Sequence, residues 1–173
     1  MKRLTIKLIL GLLLSLLFTL PSLGDSTTKD LTIKKGNTMI EQNSTLAPFT
    51  LNDQFGNEHN VTKMPKLLIC SFGKTSGTLI GSYFNAQSED YLTQHNIKLM
   101  ADVSGVPSLL RKAIIIPKMK KNSFSILLIT DKEFSKPFPQ QDDSLTVLKI
   151  EGDVVQEISF VHDESTLKEA IEG

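Results

Sequence analysis

The chain has 173 residues, of which 40% are hydrophobic, and it carries 19 basic and 19 acidic side chains. That length suits one domain with a single hydrophobic core. If segment 1–24 is removed, 16 basic and 19 acidic residues remain, a net charge of −3, which argues against a binder of nucleic acid or anionic membranes.

Segment 1–24 has the pattern of a secretory signal peptide. An apolar run at 8–20 follows a basic start and is too short for a comfortable membrane span. Small residues at Ser22 and Gly24 predict cleavage after Gly24, with an uncleaved anchor as the alternative. We therefore expect a periplasmic or secreted protein with no membrane anchor after cleavage.

The mature chain divides into a flexible leader, residues 25–46, and a packed domain, residues 47–173. A short strand is expected within the leader at 31–35. Alternating apolar residues on both sides of a turn predict a β-hairpin over 49–61. The almost wholly apolar run 67–72 is typical of a central strand that is covered on both faces.

Helices and strands then alternate along the rest of the chain. Apolar residues at spacings of three and four predict a helix over 75–95, with a second segment starting near Ser88. The remaining predicted elements are a strand at 97–101, a helix at 107–115, a strand at 124–130, an exposed connection at 131–144, strands at 145–150 and 154–161, and a helix that ends at 171. This order predicts an α/β domain in three layers.

Three local strings resemble those of a known fold family. Residues 49–57, FTLNDQFGN, resemble an "F-x-L-x-D-Q-x-G" hairpin, and 66–72 resemble the core strand that follows it. Residues 72–75, FGKT, resemble the Sco-type "F-G-Y-T" entry to a redox loop. Over residues 47–172 the chain therefore resembles thioredoxin-like proteins, in the branch that includes peroxiredoxins, TlpA-type thiol-disulfide reductases and Sco copper chaperones. The resemblance implies a thioredoxin-like three-layer α/β/α fold with an N-terminal β-hairpin.

The redox residues that the resemblance implies are missing. The two cysteines would fall on Gly77 and Gly81 in a Sco-type register, or near 76–80 in a thioredoxin-type register, and no cysteine occurs there. The family's cis-proline, which we expect to match residues 122–126, is also missing. We therefore predict an exported thioredoxin-fold protein without thiol-disulfide oxidoreductase activity or a cofactor. It would act as a binding or interaction module for an unnamed protein or small molecule.

The single cysteine, Cys70, lies inside the predicted central strand. A free cysteine with apolar neighbours usually behaves as a small buried hydrophobe, and a single cysteine allows no internal disulfide. The alternative is a one-cysteine thiol peroxidase or peroxide sensor acting through Cys70. That function would require an exposed thiol whose pKa is lowered.

Loops after two neighbouring strands hold the candidate binding residues, which are Lys74, Thr75, Ser76, Asp102 and Ser104. Ligand crevices in open α/β sheets lie beyond the carboxyl ends of parallel strands. We therefore expect any surviving site between these two loops. The simpler interpretation is that Thr75 or Ser76 caps a helix and that residues 102–107 form a tight turn.

A small-ligand or metal carrier is a further alternative, although no metal site is predicted. The three histidines, His59, His95 and His162, have no metal-ligand spacing, and a pair with Asp53 or Asp102 formed by the fold stays open. A local basic cluster consists of Arg111, Lys112, Lys118, Lys120 and Lys121. It is either a solvated face or a contact for an acidic partner or lipid headgroups.

Overall fold

The computed structural model describes residues 39–173. The predicted signal peptide and the strand at 31–35 lie outside this range. The strands are β1 (Phe49–Asn52), β2 (Glu58–Val61), β3 (Leu67–Ser71), β4 (Ile97–Asp102), β5 (Leu127–Ile129), β6 (Leu145–Glu151) and β7 (Val154–Val161). The helices are α1 (Lys74–Asn85), α2 (Tyr91–Gln94), α3 (Ser108–Leu110), α4 (Ile116–Met119), α5 (Lys132–Ser135) and α6 (Glu164–Glu172), with a π-helical segment at Arg111–Ile115 between α3 and α4. No helix in this part of the chain is long and apolar enough to cross a membrane.

A five-stranded mixed sheet forms the centre of the fold, in the order β5-β4-β3-β6-β7. Strands β3, β4 and β5 are parallel, whereas β6 runs antiparallel to β3, and β7 antiparallel to β6. Strands β1 and β2 form a separate antiparallel hairpin. The sheet with its helices and the hairpin confirm the predicted thioredoxin-like α/β class.

Strand β3 is buried along its whole length. Leu67 and Ile69 belong to the hydrophobic cluster under α1 and α6, while Leu68 and Cys70 belong to a second cluster on the other face of the sheet. Successive strand residues point to opposite faces, so a strand covered on both sides reads as a continuous apolar run. Each fully buried aliphatic side chain contributes about 1.5–3 kcal/mol of stability.

The side chain of Gln54 fastens the hairpin to the sheet. Its Nε2 donates to the carbonyl of Phe124 at 2.6 Å, and its Oε1 accepts from the backbone N–H of Ile126 at 2.7 Å. Gln54 is 1% exposed, so an unpaired amide here would cost free energy. The Gln54 side chain thus forms the two hydrogen bonds that a neighbouring strand would form, with the backbone just before β5.

Asp53 organises the turn beside Gln54. Its Oδ1 accepts from the backbone N–H groups of Phe55 and Asn57 at 2.9 Å, and its Oδ2 accepts from Ser125 at 3.1 Å and lies 2.9 Å from His59 Nε2. Burial alone would raise the pKa of Asp53, but the hydrogen bonds from His59, Asn57 and Ser125 lower it overall. The same His59 nitrogen faces both Asp53 and Ser125, so the group braces the hairpin. Of the two histidine–aspartate pairs that the sequence left open, the pair with Asp53 is formed, and its partner is His59.

The packed domain begins before Ala47, the predicted start. Ile40 and Leu46 are both buried. The N–H of Ile40 donates to the carbonyl of Pro137 at 2.7 Å, and that of Leu46 donates to the carbonyl of Asp153 at 2.8 Å. Residues 40–46 therefore cover the second face of the sheet, because their apolar side chains complete its core.

The helix predicted over 107–115 extends further than expected. It continues through the π-helical segment into α4 and ends at Met119. Pro117 is the second residue of α4 and directly follows the π-helical segment, in which the N–H of Ile116 donates to the carbonyl of Arg111. A proline that was expected to end the helix therefore stands inside it.

Two other segments differ from the prediction in detail. The second segment of the helix predicted over 75–95, expected from near Ser88, is the short α2, which begins only at Tyr91. The connection predicted as exposed over 131–144 contains α5, and its Phe138 is buried, with a ring centroid 5.8 Å from that of Phe134. Two phenylalanines with core contacts explain why this connection packs onto the domain.

Candidate functional site

A cavity of about 750 Å³ opens beside the carboxyl ends of β3 and β4. Gly73 and Lys74 line it from the loop after β3 and the start of α1, while Asp102 and Ser104 line it from the end of β4 and the loop that follows. Its size is within the range of small-molecule sites, and its place is where open α/β sheets bind ligands. The two loops singled out in the sequence thus border one cavity.

The walls of the cavity are mostly apolar. They are built from α1, from the loop after β4 and from the helical stretch 108–119. The apolar side chains that line it are Phe72, Ile80, Ala101, Val103, Val106, Ile115, Met119 and Ile126. Such walls favour a ligand with an apolar body.

Positive charge predominates around the cavity. Its lining includes the four lysines Lys74, Lys118, Lys132 and Lys136, and Asp102 is the one acidic side chain in the lining. Lys136 Nζ lies 2.5 Å from Glu133 Oε1, whereas the other three lysines have no carboxylate within 4 Å among residues 39–173. This balance favours a ligand that carries negative charge.

The predicted site residues separate into two groups. Lys74, Asp102 and Ser104 line the cavity, whereas Thr75 is exposed to solvent away from it and Ser76 is buried beneath the loop. Asp102 Oδ1 accepts from the N–H of Ser104 at 2.8 Å, which fixes the turn after β4. A binding role for these residues stays a prediction.

Two serines occupy the base of the loop after β3. Their hydroxyl oxygens, Ser71 Oγ and Ser76 Oγ, lie 2.9 Å apart and both residues are buried. The N–H of Gly73, the residue before α1, donates to Ser76 Oγ at 3.2 Å. Ser76 therefore supplies half of a capping box, which is the simpler of the two interpretations of this residue.

The two glycines in the Sco-type cysteine positions leave open space. A Cβ atom on Gly77 would lie 3.4 Å from Ser71 Oγ, and one on Gly81 would lie 3.8 Å from Asn122 Oδ1. These are ordinary contact distances, so neither position requires glycine for steric reasons. Both glycines line the cavity, and the missing side chains add to its volume.

Cys70 does not reach the cavity. It is 0% exposed and packs in the second hydrophobic cluster with Leu68, Met100 and Leu148. Burial raises the pKa of the Cys70 thiol, because an apolar environment disfavours the thiolate. The thiol is therefore protonated at neutral pH.

The strand that faces the loop after β3 is β6, and our match of the family's cis-proline to residues 122–126 is wrong. Leu145, the first residue of β6, pairs with Ser71, while β5 lies on the far side of β4. The residue before β6 is Ser144, and residues 140–145 also contain no proline. The error arose because an extra parallel strand separates β4 from β6 along the chain.

Several cavity residues escaped the sequence analysis. Lys132, Lys136 and Gln140 reach the cavity from the connection after β5, and Lys118 reaches it from α4. The sequence places Lys118 only in a basic cluster. All four lie far from Lys74 along the chain, so only the fold brings them together. Within residues 39–173, no three His, Cys, Asp or Glu side chains are grouped to hold a metal.

Comparisons with known proteins identify the fold. No protein-family model matches the sequence, and no curated protein matches it. Among solved structures, peroxidoxin BcpB from Mycobacterium tuberculosis is similar at a TM-score of 0.52 and 13% identity, covering 76% of this chain and 94% of that one. StoA from Bacillus subtilis is similar at a TM-score of 0.52 and 17% identity, covering 73% and 97%. The chain therefore has a thioredoxin-like fold and lacks the redox cysteines of that fold.

Proposed function

We propose that this protein is an exported thioredoxin-fold binding protein without thiol-disulfide oxidoreductase activity. The observation that carries the proposal is the cavity itself. It lies where the family's redox cysteines would be, with Gly77 and Gly81 on its wall. The region that holds the thiols for disulfide exchange in a relative would, in this chain, accommodate a ligand.

The position of Cys70 argues against chemistry at the cavity. Dithiol exchange needs two thiols, and the chain has one. A peroxidase or peroxide sensor would need peroxide to reach a thiolate, but Cys70 is buried on the other face of the sheet and its pKa is raised. The geometry therefore favours binding over the one-cysteine alternative.

The cavity lining suggests the class of ligand. Apolar walls and an excess of lysine over carboxylate fit a small molecule with an apolar body and a negatively charged group. We expect the lysines at the opening to hold the charged group while the apolar walls bury the remainder. The same lysines would repel a metal cation, which argues against a metal ion as the main cargo.

A binding experiment with 8-anilinonaphthalene-1-sulfonate tests the proposal, since this probe has an apolar body and one negative charge. Gly81→Leu places a side chain in the cavity, and we expect it to weaken probe binding by about tenfold, equivalent to about 1.4 kcal/mol. Thr75→Leu is the matched control on the same helix, because Thr75 is exposed and does not line the cavity. Equal binding by the two variants would count against the cavity as the site.

Activity and export are tested separately. The chain from Asp25 onward should not accelerate insulin reduction by dithiothreitol above the protein-free rate, and turnover would contradict the proposal. In an expression host with a general secretory pathway, the exported product should begin at Asp25. An intact N-terminus in the cytoplasmic fraction would contradict export.

A further inference from the structure

The helical stretch 108–119, which we call the basic helix, presents aliphatic side chains to solvent. Leu109 is 76% exposed, Ile114 57% and Leu110 49%. Ala113 and Pro117 on the same stretch are also exposed. Exposed aliphatic residues that occur together, rather than singly, mark interaction surfaces.

The orientation of the basic helix is fixed from its inner side. Arg111, Ile115 and Met119, at spacings of four, are only partly exposed, and the last two line the cavity. Arg111 Nη1 donates to the carbonyl of Val103 at 3.1 Å. These contacts of Arg111, Ile115 and Met119 fix the rotation of the basic helix, and Leu109 and Ile114 therefore face solvent.

Positive charge surrounds these aliphatic residues. Residues 103–130 contain five basic residues and no acidic one, while the rest of the chain after residue 24 has 11 basic and 19 acidic residues. The exposed basic side chains on and after the helix are Lys112, Lys118, Lys120 and Lys121. The net charge of −3 therefore conceals a local excess of positive charge around the basic helix. By charge complementarity, this surface fits a negatively charged partner surface.

We propose that the basic helix docks the protein reversibly on anionic lipid bilayers. Leucine and isoleucine would enter the boundary between headgroups and acyl chains, while the lysines contact the lipid phosphates. A protein partner fits less well, because the centres of protein interfaces are depleted in lysine and enriched in aromatic residues, and residues 107–121 contain no aromatic residue. This inference does not depend on the ligand proposed for the cavity.

Vesicle sedimentation tests the docking. The chain from Asp25 onward is required, because the apolar run 8–20 would bind lipid by itself. It should bind vesicles in which phosphatidylcholine is mixed with phosphatidylglycerol and should not bind pure phosphatidylcholine. Raising the salt concentration should weaken binding, since the lysine–lipid attraction is screened. A protein that ignores the anionic vesicles at low salt would overturn the proposal.

Paired variants separate charge from insertion. Lys120→Gln with Lys121→Gln should lower the partition coefficient by about fivefold per lysine, whereas the exposed pair Lys63→Gln with Lys66→Gln is the matched control and should leave it unchanged. Equal losses in the two pairs would overturn the proposal, because only overall charge would then matter.

Insertion is tested by Leu109→Gln with Ile114→Gln, for which Phe160→Gln, at an exposed residue of β7, is the control. The double variant should reduce binding and the control should not. Binding that is insensitive to Leu109 and Ile114, or a lysine-dependent complex with poly-L-glutamate without any vesicle binding, would overturn the proposal in favour of an acidic protein partner. Thermal melts of all variants establish that they fold.

Discussion

The Cys70 thiol should be inert in the folded protein, and this prediction decides between a binding protein and a one-cysteine enzyme. Because Cys70 is 0% exposed, a reagent reaches it only when the domain opens. Domains of this size are stable by about 5–15 kcal/mol. If labelling needs global unfolding, even the lower value slows the reaction by more than about 10³-fold relative to the unfolded chain.

The assay is the rate of reaction with 5,5′-dithiobis(2-nitrobenzoate) at neutral pH, with and without denaturing guanidinium. Rates that agree within tenfold would refute the burial argument, as would rapid oxidation of native Cys70 by hydrogen peroxide to a sulfenic acid. Local opening of the domain around Cys70 would give an intermediate labelling rate. Amide hydrogen exchange at β3 would reveal such an opening.

Substitutions at Cys70 provide a second, structural measurement. Cys70→Ser places a hydroxyl among Leu68, Met100 and Leu148 without a partner, which should cost about 1–3 kcal/mol. For a domain of this size, each kcal/mol lowers Tm by roughly 2–4 °C. Cys70→Ala adds no polar group, so we expect it to be less damaging than serine. A serine variant as stable as the wild type would contradict the apolar environment assigned to this position.

Three further predictions concern the hairpin and α1. Gln54→Ala should cost about 2–4 kcal/mol in urea unfolding, because it leaves the Phe124 carbonyl and the Ile126 N–H unpaired; a loss below about 0.5 kcal/mol would contradict the fastening role. The lowered pKa of Asp53 contributes stability above its unfolded pKa of about 3.9. Stability should therefore fall as the pH drops below about 4, by up to about 1.4 kcal/mol per pH unit, and an unchanged slope in Asp53→Asn would refute this cause. Gly81→Ala should stabilise α1 by about 0.5–1 kcal/mol, since the new Cβ would lie 3.8 Å from its first neighbour; destabilisation would mean that the space is not free.

The hairpin and the central strand were predictable because their signals are local. Alternation over residues 49–61 and the apolar run that became β3 depend on neighbouring residues only. Gln54 shows the limit, because its partners Phe124 and Ile126 are distant along the chain and no pattern connects them. The same limit explains why the position of the family's cis-proline was matched to residues 122–126. The order of elements along the chain did not reveal that β5 pairs with the outer edge of β4.

The candidate site was predictable in place but not in composition. Loops at the ends of parallel strands located Lys74 and Asp102, because sheet topology brings such ends together. The charge of the cavity depends on Lys132 and Lys136, which lie in a connection predicted as exposed. These two lysines reach the cavity because Phe138 packs in the core and holds their connection against the domain. In the sequence, Phe138 stands among prolines and charged residues, and no periodic pattern indicates that it is buried.

The alternation of side chains along β3 determines which face of the sheet Cys70 occupies. Ser71 shares a hydrogen bond with Ser76 at the start of α1, so its side chain faces the cavity side, and Cys70 necessarily faces the other way. A shift of β3 by one residue would turn Cys70 toward the cavity. The same shift would exchange Leu68 and Ile69 between the two cores, at about 1.5–3 kcal/mol for each side chain left without its packing. The core thus holds the Cys70 side chain on the face of the sheet that lies away from the cavity.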